Sequence, residues 1–208
     1  MLRLLLFGVL SLAFFAPSAQ AASIADEWDK AVPPPAPSLS PVSVDPARTA
    51  LLVLDIEELT CNAARRPRCL ETVPAIAGLL ARARAAKMAV VHSQTPKGTP
   101  ETILPPVKPL PGEPVVRSSV DKFWNTDLEN ILREKGVDTV IVTGTAAHGA
   151  VLHTATAAGF RGFTVILPLD CLSAEDLYTE QASVALLLTG PATRGKITAT
   201  KSEMIKMP

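Results

Sequence analysis

The chain has 208 residues, 48% of them hydrophobic, with 20 basic and 20 acidic side chains that cancel. That length carries one sizeable core and not two. Zero net charge and an aromatic content of 4% exclude a basic nucleic-acid footprint, an electrostatic hold on anionic lipid and a stacking platform for bases.

Arg3 followed by the apolar run Leu4 to Phe15 and by Ala19-Gln20-Ala21 has the layout of a secretory signal cleaved after Ala21. The apolar run is short for a bilayer span, so residues 1–21 predict a secreted or periplasmic product without stable membrane insertion after cleavage. Residues 22–47 are rich in Pro, Ala and Ser, which favours extended backbone and predicts a linker or arm. Residues 48–208 then form the domain.

Thr49 to Ile56 is a near-continuous apolar run, as in a central strand buried on both faces, with Asp55 near its end. In an oxidising compartment Cys61 and Cys69 can pair across a short loop, leaving Cys171 over. The spacing is no zinc signature, and no metal site is predicted. A helix is predicted from Pro74 to Ala86, a strand from Met88 to His92 and a Pro-rich surface loop from Thr95 to Pro114. A short strand Val115–Arg117 follows, then a helix Leu128–Lys135 capped by Thr126-Asp127 and stopped by Gly136. Thr139–Val142 predicts a strand, Thr143-Gly144-Thr145 a turn, and Ala147–Ala158 a helix. Phe163–Leu167 and Lys196–Thr200 read as strands around a helix that opens at Ala174-Glu175-Asp176 and reaches Leu188. Strand–helix alternation of this kind predicts an α/β fold in three layers, α/β/α, with a central, mainly parallel sheet.

The stretch Val140 to Ala158 stands out because a buried strand turns through glycine into a helix of small residues. Such a junction leaves backbone N–H groups free for anions and oxyanions, at the strand ends where α/β sheets bind ligands. Asp55 is either an active carboxylate with a partner or a loop-bracing one. Lys122, beside Phe123 and Trp124, is either its ion-pair partner or a solvated lysine with its stem on the rings. His148 is either a substrate-facing group or a helix-start histidine satisfied by a carbonyl. His92 lies where it could line the same crevice, and His153 is expected to pack.

An Asp after the first strand, a Lys before an F-x-x-T-D-L helix start, and the run from Val142 through Gly144, His148 and Val151 to Thr154-Ala155 together resemble the isochorismatase-like (cysteine hydrolase) superfamily. The resemblance spans about Thr49 to Leu188 and implies a three-layer, Rossmann-like hydrolase that often forms homo-oligomers. It implies that Ala150 occupies the position of the family's nucleophilic Cys, so that thiolate chemistry is lost. Isochorismatases proper also carry a small residue there, together with an Ala-His pair like Ala147-His148. Their chemistry implies Asp55 as an acid held by Lys122, with space at Ala150 for substrate or water. A cis bond at Thr145–Ala146 is implied too, with Thr145, Ala146, His148, Gly149 and His92 around a small-molecule substrate. Counting back from Phe123 leaves Lys122 and Arg117 both open for the family's Lys. The resemblance brings no cofactor, and the choice between a hydrolase and a binding protein that has lost its chemistry stays open.

Overall fold

The computed structural model describes residues 22–208. The expected leader, residues 1–21, lies outside the described residues. The chain divides into two compact units, one ending at Pro35 and the other starting at Ala36. In the first, a single helical turn, α1 (Ile24–Glu27), runs into a 3-10 turn, Trp28–Lys30. The Ser23 backbone N–H and hydroxyl donate to Asp26 at 3.0 and 2.6 Å, which starts this turn where composition pointed to extended backbone.

The second unit holds nine strands among its described residues: β1 (Val42–Ser43), β2 (Thr49–Leu54), β3 (Ala89–Gln94), β4 (Val115–Arg117), β5 (Thr139–Thr145), β6 (Thr164–Pro168), β7 (Leu172–Ser173), β8 (Ile197–Thr200) and β9 (Ile205–Lys206). Its helices are α2 (Pro67–Ala85), α3 (Leu128–Glu134), α4 (Leu152–Phe160) and α5 (Leu177–Thr189). The main sheet runs β4-β3-β2-β5-β6-β8, every neighbouring pair parallel, with β7 added beside the end of β5. This is the mainly parallel, three-layer arrangement that the alternating pattern predicts. β1 pairs with β9 in a separate ribbon, so residues 42–43 of the Pro-rich stretch are tied to the end of the chain.

The strand period of two sorts the core into two layers. Ala50, Leu52 and Leu54 of β2 and Val140 and Val142 of β5 pack with Leu128, Leu132, Ala155, Ala158, Val184 and Leu187 from α3, α4 and α5. Leu51, Val53 and Ile141 face the other way, onto Val73, Ile76, Leu79, Leu80 and Ala83 of α2. Successive connections therefore leave β2 toward one edge under α2 and leave β5 toward the other edge under α4 and α5. The order reverses between β2 and β5, and ligands in open α/β sheets bind outside the strand ends at such a switch point.

The structure differs from the sequence expectation at three places that matter. Helix α2 begins at Pro67, not Pro74: Pro67 sits in the first turn, where its missing N–H costs nothing, and Pro74 lies on the solvated side of the helix, where water replaces the lost bond. The 95–114 excursion is anchored and not purely superficial, since Ile103 and Val107 are buried and Ile103 bridges to Glu57. Strand β5 continues through the expected turn to Thr145. Gly144 makes this possible with φ +124, and a Cβ there would lie 2.1 Å from the Leu54 carbonyl oxygen. Gly144→Ala is therefore expected to destabilise the protein by at least about 3 kcal/mol, read as a fall in the urea midpoint.

Cys61 and Cys69 form a disulfide across a separation of 8 residues. In the chain-entropy account, closing so short a loop contributes about 2–3 kcal/mol. Reduction, or the double change Cys61→Ser/Cys69→Ser, is expected to lower Tm by about 5–10 °C in a calorimetric scan.

Candidate active site

Asp55 follows β2 directly and takes a left-handed conformation, φ 53. Outside glycine this region is sparsely used and tends to mark functional sites. Asp55 is 4% exposed, and both its carboxylate oxygens are engaged. Lys122 Nζ stands 2.8 Å from Oδ2, and the Ser93 hydroxyl donates to Oδ1 at 2.6 Å. Burial pushes the Asp55 pKa up, while the charge and hydrogen bond of Lys122 and the hydroxyl of Ser93 pull it back, and the net shift is upward.

Lys122 is fully buried, not solvated. Besides Asp55, its ammonium donates to the carbonyls of Gln94 at 3.2 Å, Ser118 at 2.9 Å and Ser119 at 2.6 Å. Its backbone N–H donates to the Thr154 hydroxyl at 3.1 Å, which ties the 118–122 loop to α4. Arg117 is exposed at the end of β4, so between the two basic residues left open by the sequence, the one against Asp55 is Lys122.

After Thr145 the chain makes the cis bond to Ala146 expected from the resemblance and enters a π-helical turn, Ala147–Val151, before α4. Gly149 N and Val151 N both donate to the Ala146 carbonyl, at 2.9 and 3.2 Å. Among the described residues, the N–H groups of Ala147 and His148 have no backbone or side-chain acceptor. Ala150 is 3% exposed and lies one helical turn before Thr154, on the same face. Gly149 approaches Val120, with an added Cβ at 3.7 Å from Cγ1. The turn, the Lys122 loop and the end of β2 thus converge at the switch point. A buried carboxylate paired with an ammonium is equipped to move a proton, and the unengaged amides of the turn are equipped to steady an oxyanion.

Other expected residues fall elsewhere. His92 is buried on the α2 side of β3, with Nε2 3.0 Å from Glu113, and does not line this crevice. The pleat explains the correction: His92 and Ser93 point to opposite faces, and Ser93 is the one that meets Asp55. His153 is exposed on α4 and not packed. Cys171 is buried with the α2 layer, and burial raises its thiol pKa, which keeps it an inert thiol. His148 stays at the mouth, with Nδ1 3.8 Å from Glu175 Oε2. Among the described residues no cluster of three or more His, Cys, Asp or Glu side chains is arranged to hold a metal.

Sequence reasoning missed Ser93, the hold of the Thr154 hydroxyl on Lys122 N and the bracing role of Glu57. The fully buried Glu57 carboxylate accepts from Thr95 N at 3.1 Å and from the hydroxyls of Thr95 at 2.6 Å and Thr102 at 3.0 Å, pinning the 95–102 loop beside Asp55. Alternation along β3 separates Ser93 from His92 but does not say which face meets Asp55; the pairing of Ser93 with Leu54 shows it.

Residues 49–199 match the isochorismatase domain family. The chain belongs to that family. Within it, the isochorismatase-family chain is 35% identical over 146 residues to a streptothricin hydrolase of Streptomyces noursei, covering 62% of this chain and 55% of that one. It is 32% identical over 115 residues to the secreted isochorismatase effector Isc1 of Verticillium dahliae, covering 50% of this chain and 60% of the other. The chain thus spans little more than half the length of these relatives. Among solved structures, an isochorismatase family protein from Desulfovibrio vulgaris aligns with TM-score 0.68 at 25% identity, over 75% of this chain and 95% of that one. An N-carbamoylsarcosine amidase from Thermoplasma acidophilum shares the fold at TM-score 0.64 and 23% identity, over 75% and 97% of the two chains.

Proposed function

We propose that this isochorismatase-family protein is an exported hydrolase of a small polar molecule that works through Asp55 and Lys122, without a covalent cysteine intermediate. The observation that carries the reading is the buried Asp55–Lys122 pair at 2.8 Å, joined through Thr154 to the helix face that bears Ala150. Ala150 stands where the family's thiol would be, and its methyl offers no nucleophile. On an enol ether, Asp55, whose pKa burial raises, gives a proton to the enol carbon. Water adds to the resulting oxocarbenium carbon and returns one proton to Asp55; the proton of the new hydroxyl then passes to the departing oxygen as its C–O bond breaks, giving a carbonyl product and an alcohol. Lys122 holds the carboxylate in place and balances its charge when the proton is away. The amides of Ala147 and His148 and the ring of His148 face the polar groups of the substrate. Export is supported by the leader pattern of residues 1–21, by the disulfide and by the likeness to a secreted effector.

The test is a screen of the mature chain, residues 22–208, against a panel of small enol ethers, esters, amides and lactams. Product is followed by mass spectrometry and binding by thermal shift. Turnover of one class, abolished by Asp55→Asn, supports the reading. Thermal stabilisation without product would replace it with a binding role.

A further inference from the structure

A second polar chain reaches the mouth of the site, beginning in the disulfide loop. Arg66 lies inside that loop and is 5% exposed. Its backbone is clamped at both ends: Arg66 N donates to the Asn62 carbonyl at 2.8 Å, and Cys69 N donates to the Arg66 carbonyl at 3.0 Å. The guanidinium donates from Nε to Glu175 Oε1 at 2.7 Å and from Nη1 to the Thr60 carbonyl at 3.3 Å. Burial works to raise the Glu175 carboxyl, but the hydrogen bond and charge of Arg66 outweigh it and hold it below the ordinary range. Glu175 is thus an ionised carboxylate fixed through one oxygen, and its other oxygen lies 3.8 Å from His148 Nδ1. The neighbouring Asp176 caps α5, accepting from Thr179 N at 2.8 Å and its hydroxyl at 2.9 Å, and it adds negative charge near the same imidazole.

We infer that Arg66 and Glu175 are positioning residues that fix the orientation and tautomer of His148, and that the disulfide-closed loop carries Arg66 into place. An anionic oxygen beside Nδ1 favours the ring form with its proton on that nitrogen, which leaves Nε2 as an acceptor. The substrate then meets an imidazole that accepts a hydrogen bond. The loop also reaches the other end of the site, since the Thr60 hydroxyl donates to the Asp55 carbonyl. The value of this arrangement for catalysis rests on His148 facing the substrate, but the arrangement itself belongs to the free protein.

The experiment therefore needs no substrate. Long-range proton–nitrogen spectra of the labelled mature chain at pH 8, where an ordinary imidazole is neutral, report the tautomer of each ring. The chain has 3 histidines, so one His148→Ala spectrum assigns the signal. The wild type is expected to show His148 with its proton mainly on Nδ1. Glu175→Ala and Arg66→Met are expected to release it to the mixed population of an unpartnered imidazole, and Arg66→Lys to recover at least half of the Nδ1–H form. Reduction with dithiothreitol is expected to move the signal in the same direction as Arg66→Met. A tautomer unchanged in Glu175→Ala overturns the assignment, whatever happens to Arg66→Met. A response to Arg66→Met but none to reduction overturns the role of the disulfide loop. Absence of turnover in the metabolite screen would sink the proposed hydrolase and leave this result standing.

Discussion

Lys122→Met is expected to cost about 3–5 kcal/mol of stability at pH 8 and distinctly less at pH 5, because it strips a buried carboxylate of its cation. In the wild type, burial raises the Asp55 pKa and Lys122 is the main force holding it down. Methionine fills the space of the lysine stem but supplies neither charge nor donors. The carbonyls of Gln94, Ser118 and Ser119 lose their shared ammonium at the same time. With only Ser93 left to oppose burial, the folded-state pKa of Asp55 climbs further above its unfolded value of about 4. Between those two values the folded state keeps a proton that the unfolded state has released. The unfolded chain binds fewer protons there, so stability falls as pH rises through the window and levels off above the folded-state pKa. Urea unfolding at pH 5 and pH 8 measures the difference. A small loss of equal size at both pH values would mean that Lys122 does not support the Asp55 charge.

The sheet was legible because its strands are buried on both faces. Thr49–Leu54 and Thr139–Val142 are apolar without interruption, and only a central parallel strand asks for that. β7 and β9, two residues each, have no period to detect, and β1 hides in a Pro-rich stretch whose composition argues against pairing. At the site, Asp55 was legible from its place at a strand end. Lys122 was ambiguous because a lysine followed by two aromatic residues in a polar loop fits a solvated lysine as well as a buried one; only the fold shows three carbonyls around its ammonium. Ser93 and His92 are neighbours on β3, so choosing between them required the facing of the pleat, which a short apolar strand does not reveal. Arg66 and Glu175 lie 109 residues apart, beyond any local pattern.

Asp55→Asn is expected to reduce turnover by about 10²–10⁴-fold, measured on the folded fraction because the buried Lys122 ammonium loses its counter-ion and stability falls as well. Asparagine keeps the shape of the side chain and an acceptor for Lys122, and the ammonium keeps its backbone carbonyls. The rate per folded molecule therefore reports the proton, and urea unfolding reports the separate cost of the unpaired ammonium. The wild-type pH profile carries the sign. An acid acts in its protonated form, so the rate is highest at low pH and falls as pH rises through the Asp55 pKa. Burial has moved that pKa above the ordinary carboxylate range, so the falling limb lies at higher pH than for a solvated aspartate. Ser93 supplies an independent lever. Its hydroxyl donates to Oδ1 at 2.6 Å and favours the ionised form, so Ser93→Ala makes Asp55 hold its proton more tightly. The falling limb then moves to still higher pH. A limb that moves the other way, or a rate that grows with pH, would recast Asp55 as a base that activates water. A rate unaffected by Asp55→Asn would remove this carboxylate from the chemistry altogether.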